Sequence, residues 1–315
     1  MIQVKNVSKR FGKHLAVDRL NFTVDRGEIL GFLGPNGAGK STTMNIITGY
    51  ISATEGSVSV GGHDILDEPR EVKKQIGYLP ELPPLYLDMT VEDYLRFVSE
   101  IKGLPRSRRA GEIDRSLELL HIIDHRKRLI KNLSKGYKQR VGVAQALIGS
   151  PPVLILDEPT IGLDPQQIIE IRALIHDLGK EHTIILSSHI LPEVQAVCNR
   201  VLIINKGRIV ASDTPENLSK SMAGGGRLIL RVAGPEKEVL DAIRGVEGVR
   251  NVESMSSEEA GTIDLLVEVP NGEDVRTRIF RTCSAADYAI LMMKSSDLSL
   301  EEIFLNLTTE EKEVS

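Results

Sequence analysis

Gly34-Pro35-Asn36-Gly37-Ala38-Gly39-Lys40-Ser41 decides how this chain is read. It meets the pattern GxxxxGK[ST] at every fixed position, follows the apolar run Ile29–Leu33 and opens a stretch of helical periodicity from Ser41. A strand, a glycine-rich turn and a helix start, in that order, make a phosphate cradle. Glycines let backbone N–H groups converge on phosphate oxygens with no Cβ in the way. The helix turns the positive end of its dipole toward the same anion. Lys40 adds a compact positive charge for the outer phosphates, and the Ser41 hydroxyl can ligate Mg²⁺. These residues predict a nucleotide site.

Downstream, the apolar run 153–156 ends in Asp157-Glu158. A buried strand delivering two acids to its carboxyl end puts them where α/β sheets bind ligands. Adjacent strand side chains point to opposite faces, so the pair can divide its labour. Asp157 orders the Mg²⁺ shell, and Glu158 turns toward an attacking water, which it can deprotonate as general base or at least position.

Around these two stretches, residues 1–220 alternate short apolar runs, such as 183–186, with longer amphipathic segments. That alternation predicts a sheet with parallel strands and covering helices. Ser57-Val58-Ser59-Val60 and the region 20–30 predict added antiparallel strands. After Pro80, Pro83 and Pro84, Thr90-Val91-Glu92-Asp93 reads as a helix start capped by Thr90, and 90–130 is helical in period. Gly224-Gly225-Gly226 suits no regular element, and a linker is expected at 221–226. Beyond it, strands at 227–232, 248–254, 262–269 and 288–294 and helices at 235–245 and 273–285 predict a split, ferredoxin-like βαββαβ domain over 227–310, closed by a helix at 299–308.

The chain has 315 residues, enough for about two domains that need no staples. It carries 39 basic against 44 acidic side chains, a net charge of −5, so no nucleic-acid partner is expected. Cys198 and Cys283 sit among apolar neighbours and read as reduced, buried hydrophobes. No secretory leader or spanning run is visible, which predicts a cytoplasmic protein.

Further motifs resemble a known family. Leu133-Ser134-Lys135-Gly136-Tyr137-Lys138-Gln139-Arg140 resembles the signature motif of ABC-type ATPases, Gly162-Leu163-Asp164-Pro165 the D-loop, and Ser187-Ser188-His189 the switch histidine. Gly77-Tyr78-Leu79-Pro80-Glu81 stands at the Q-loop and Phe11 where the family stacks adenine. The resemblance implies an α/β fold: a P-loop ABC-type nucleotide-binding domain over 1–220, with a mixed sheet core, an antiparallel β subdomain and a helical subdomain at about 82–150. It implies ATP held by Phe11, Val17, Asn36, Gly37, Ala38, Gly39, Lys40, Ser41 and Thr42. Mg²⁺ would sit at Ser41, Asp157 and Glu81, with Glu158, His189 and Lys40 as the catalytic groups. Two copies would sandwich two ATP molecules, with Ser134, Gly136 and Asp164 of one facing the nucleotide of the other.

Two positions depart from the family pattern. The usual LSGGQ is Leu-Ser-Lys-Gly-Tyr here, and Glu81 replaces the Q-loop glutamine. Glu81 can still ligate Mg²⁺ but cannot donate a hydrogen bond while ionised. The resemblance extends to ATPase subunits of bacterial type-two exporters. It implies a peripheral place on the cytoplasmic face of the cell membrane and a separate membrane-spanning permease docked near Leu82, Pro83, Leu85, Tyr86 and Leu87. The competing reading is a non-transport ATPase acting on ribosomes or DNA. Its members carry tandem cassettes, coiled coils or zinc modules, none of which the sequence displays.

Overall fold

The computed structural model describes residues 1–221, 226–257, 259–270 and 273–295. Two compact units divide the chain, Met1–Pro215 and a second that begins at Glu216. Most of the expected linker (222–225) and the expected helix at 299–308 lie outside the described residues.

The first unit opens with β1 (Ile2–Phe11) and β2 (His14–Val24), joined by a tight hairpin and paired antiparallel. β3 (Ile29–Leu33) is buried along its whole length, as a central strand covered on both faces must be. It leads through the glycine loop into α1 (Lys40–Ile47). β4 (Glu55–Val60) and β5 (His63–Asp64) complete an antiparallel sheet of order β2-β1-β4-β5. The alternation Ser57-Val58-Ser59-Val60 is realised there, with both valines buried. After α2 (Pro69–Gln75), β6 (Ile76–Leu79) enters a second sheet.

Helices α3 (Val91–Ile101), α4 (Arg106–Leu119) and α5 (Lys135–Leu147) follow. Thr90 caps α3 by accepting from the Asp93 amide, as its sequence predicts. Lys102 ends that helix with its ammonium on the carbonyls of Gln145, Ala146 and Ile148, which ties α3 to the end of α5. Arg126 pairs with Glu92 and Asp114 and joins α3 to α4.

β7 (Val153–Asp157), α6 (Pro165–Leu178), β8 (Thr183–Ser188), α7 (Leu191–Val197), β9 (Arg200–Asn205) and β10 (Arg208–Asp213) complete the first unit, and α8 (Pro215–Ser221) begins at the boundary with the second. The second sheet has the order β10-β9-β3-β8-β7-β6, parallel except at β10. β8 lies between β3 and β7, so the ends of all three strands reach one edge of the sheet. Phe22 of the antiparallel sheet meets Phe32 of β3 with ring centres 5.7 Å apart, in one core shared with α1 and β7. Each fully buried side chain of that size contributes about 1.5–3 kcal/mol.

The second unit contains β11 (Gly226–Ala233), α9 (Glu236–Arg244), β12 (Asn251–Met255), β13 (Thr262–Val269), α10 (Arg276–Ala285) and β14 (Ala289–Ser295). Its antiparallel order β12-β13-β11-β14 is that of the split βαββαβ sandwich. Leu230, Val232, Leu265, Val267, Val239 and Ile279 form its dry centre.

Candidate nucleotide site

The loop between β3 and α1 bends through two left-handed glycines, Gly37 at φ +79° and Gly39 at φ +107°. A Cβ on Gly37 would meet nothing, so its open face is free for a ligand to approach. At Gly39 a Cβ would lie 2.7 Å from the Ala16 carbonyl, and no side chain fits. The buried Lys40 ammonium donates to the Gly34 carbonyl at 2.7 Å and stands 3.6 Å from Glu158 Oε1.

Asp157 ends β7, opposite Ser187 of β8 in the sheet register. The Ser187 hydroxyl donates to Asp157 and accepts from the Glu158 amide at 2.9 Å. Burial raises the Asp157 carboxyl above its ordinary range, against the opposing pull of hydrogen bonds from Ser187 and Ser41, while the nearby Glu158 charge pushes the same way as burial. An aspartate so placed, with a serine hydroxyl beside it, suits a divalent cation completed by phosphate oxygens and water. Among the described residues, no group of three or more His, Cys, Asp and Glu could hold a metal on its own.

Glu158 adopts φ +49°, a left-handed conformation that costs a non-glycine residue about 1–2 kcal/mol. Two features hold it there: the amide bond to Ser187 and a turn in which the Ile161 amide donates to the Glu158 carbonyl. The strained backbone turns the carboxylate toward two partners. Oε1 faces Lys40, and Oε2 accepts from His189 Nδ1 at 2.8 Å. Donation from Nδ1 fixes the imidazole tautomer and leaves Nε2 free of Glu158.

One cavity of about 570 Å³ gathers Phe11, Asn36, Gly37, Gly39, Lys40, Ser41, Thr42, Glu81, Glu158 and His189 from the sequence-predicted set. Ala38 and Asp157 lie buried beneath its lining. Val17 does not line it: the inward alternation of β2 sinks this side chain into the core, and the neighbouring Ala16 faces the cavity instead. His14 and Ile161 also line the cavity and were not singled out from sequence. The hairpin next to Phe11 was the available signal for His14. Tyr78 anchors the strand before Glu81 by donating to Asn45 of α1 at 3.2 Å.

Ser134, Gly136 and Asp164 line a different cavity of about 750 Å³ in the same unit. Ser134 caps α5 and Asp164 caps α6, each through its side chain. Gln167 packs on Gly136, 2.6 Å from where a Cβ would stand. Tyr137, the signature departure, sets its ring edge-on against His125 at 4.0 Å, on the protein's own surface. Leu82, Tyr86 and Leu87 are exposed beside this helical region.

Residues 17–161 match the family model described as ABC transporter. The chain is 33% identical to the linearmycin resistance ATP-binding protein LnrL of Bacillus subtilis, over 98% of both chains. It is 39% identical to the bacitracin transport ATP-binding protein BcrA of Bacillus licheniformis, over 70% of this chain and 72% of that protein. Among solved structures, an ATP-binding subunit of an ABC transporter superposes with a TM-score of 0.64 at 31% identity, covering 70% of this chain and 93% of that one. An ATP-binding cassette solved as a post-hydrolysis dimer with ADP and phosphate superposes at 0.62 with 25% identity, covering 68% of this chain and 98% of its own.

Proposed function

The chain belongs to the family of ABC transporter ATP-binding proteins and is an ATPase, and we propose that it works as a dimer of ATP sandwiches driving a separate membrane-spanning permease, in the direction of export. The observation that carries this reading is the division of the nucleotide-facing residues between two cavities of one unit. Lys40, Ser41, Glu158 and His189 line one, and Ser134, Gly136 and Asp164 line the other. A second copy of the chain would bring the missing half to each site, and a solved relative is a dimer bound to ADP and phosphate. A serine and a glycine suit that role, because backbone and hydroxyl must come close to a phosphate.

Within each site the glycine loop and Lys40 grip the phosphates and α1 adds its dipole. Ser41 and Asp157 would hold Mg²⁺, which supplies charge neutralisation on the phosphate oxygens when bound. Glu158 accepts the proton of the attacking water or orients it. His189, bonded to that carboxylate, reports the γ-phosphate. Loss of the γ-phosphate removes a ligand shared by both copies, and the sandwich opens.

Export is supported by the names of the relatives, one a resistance protein and one a bacitracin transport protein. No described helix is long and apolar enough to cross a membrane; the reading gives the spanning part to a separate permease, for which exposed Leu82, Tyr86 and Leu87 offer an apolar seat. Purification of Glu158→Gln in mild detergent from its own host, with ATP and Mg²⁺, tests the reading. A near-stoichiometric multi-spanning membrane protein is expected. Ribosomal or DNA-repair proteins in its place would overturn it.

A further inference from the structure

Glu193 lies in the first turn of α7, is 3% exposed, and has no part in the chemistry described above. Its Oε2 accepts from the Thr160 hydroxyl at 2.5 Å and from the Ser188 hydroxyl at 3.1 Å, while Oε1 is buried without a partner. Thr160 and Ser188 are themselves buried. Thr160 stands two residues after Glu158, in the turn that leads to Asp164, and its carbonyl accepts from the Leu163 amide. Ser188 directly precedes His189, and its oxygen also accepts from the Ile190 amide at 3.0 Å.

Beyond the Glu158–Ser187 bond, the segment after β7 and the end of β8 with the residue that follows it are therefore joined through side chains at two levels. The first link is Glu158–His189, at the cavity. The second is Thr160–Glu193–Ser188, beneath it. A buried carboxylate with one bare oxygen is an unfavourable choice where packing alone is needed, since a buried polar group without a partner costs stability. A single oxygen that accepts two hydroxyls from different loops fixes their spacing in a way an apolar side chain does not.

We infer that Glu193 is a positioning residue: it clamps Thr160 and Ser188 so that Glu158 and His189 keep their mutual geometry and the Asp164 turn moves with them. The inference rests on the roles given above to Glu158 and His189. Nucleotide binding by the glycine loop does not depend on the clamp, whereas hydrolysis does.

The test uses the full chain and four variants, Glu193→Ala, Glu193→Gln, Thr160→Val and Glu158→Gln, with ATPase kinetics, affinity for trinitrophenyl-ATP and thermal melting. Glu193→Ala and Thr160→Val should each lower kcat by about ten- to a hundredfold, the loss that a small misplacement of reacting groups causes. Affinity for the probe should stay near wild type, and combining Glu193→Ala with Thr160→Val should cost little more than either alone. Glu193→Gln keeps an oxygen for both hydroxyls and should retain most of the rate. Thr160→Val preserves shape, so it decides the matter even if Glu193→Ala does not fold. A wild-type kcat in Thr160→Val, or losses that multiply in the double variant, would overturn the inference while Glu158→Gln remained inactive. Hydrolysis retained in Glu158→Gln would overturn the role of Glu158 and this inference with it.

Discussion

Asp157 and Asp264 are both buried aspartates at sheet positions, and their surroundings treat them in opposite ways. Asp157 has no guanidinium beside it, and burial pushes its carboxyl up. Asp264, in the second unit, takes a two-pronged bond from Arg231 at 2.7 Å on each side, which holds its carboxyl below the ordinary range. The contrast extends to the two units. The first buries Lys40, Asp157 and Glu158 at one cavity, Glu193 beneath it and Arg140 against Glu170, whereas among the described residues of the second only Asp264 is a buried charge. Charge that is costly to bury belongs where chemistry needs it. Charge placed for stability is paired and sits over an apolar core.

The largest effect that would break this comparison is kinetic. Glu158→Gln should lower the hydrolysis rate by about 10²–10⁴-fold, the usual share of a general base, with melting of the second unit unaltered. A rate near wild type would remove the reason for burying the acid. Next in size is a core truncation in the second unit. Leu230→Ala should cost that unit about 2–5 kcal/mol in denaturant unfolding, since the side chain is fully buried. Nucleotide affinity of the first unit should not change.

A smaller effect separates the two aspartates directly. Because the native pKa of Asp157 is raised, the folded chain binds its proton more tightly than the unfolded chain does, and ionised Asp157 lowers stability as pH climbs above about 4. Asp157→Asn should therefore raise the melting point of nucleotide-free protein at pH 7 by a few degrees, a gain that fades in acid. Asp264 has a lowered native pKa, so its contribution is present above the ordinary carboxylate range and is lost as pH falls. Asp264→Asn should lower the melting point at pH 7. Shifts of the same sign in both variants would contradict the comparison. Smallest is Glu81→Gln, which adds an amide donor at the cavity wall. It should change the rate by a few-fold, the worth of about one hydrogen bond at ~0.5–1.5 kcal/mol. An unchanged rate with unchanged Mg²⁺ dependence would show that residue 81 does not tune coupling.

Much of the cavity was legible because its parts are local. The glycine loop carries its own turn, helix dipole and lysine within eight residues, and paired acids after four apolar residues announce a strand end. What escaped was set by sheet order. β7 and β8 are adjacent only after a helix has crossed between them, so nothing near Asp157 in the chain points to Ser187, nor anything near Thr160 to Glu193. The signal in hindsight is a fully buried strand that ends in two serines, hydroxyls with no reason to be dry except a polar partner. Val17 lies in the core and not on the cavity wall for a similar reason. Family position located the segment, and the alternation of β2 decided which neighbour faces the ligand. The βαββαβ order was readable from period alone, because strands and helices there alternate at short range.

The central claim is that one chain holds two unlike halves of a site and needs a second copy to complete it. Light scattering of full-length Glu158→Gln, with and without ATP and Mg²⁺, tests this most directly. The account predicts a monomer without nucleotide and a dimer with it, reverting to monomer when Ser134→Arg blocks the second cavity. A protein that binds ATP and remains monomeric would contradict it.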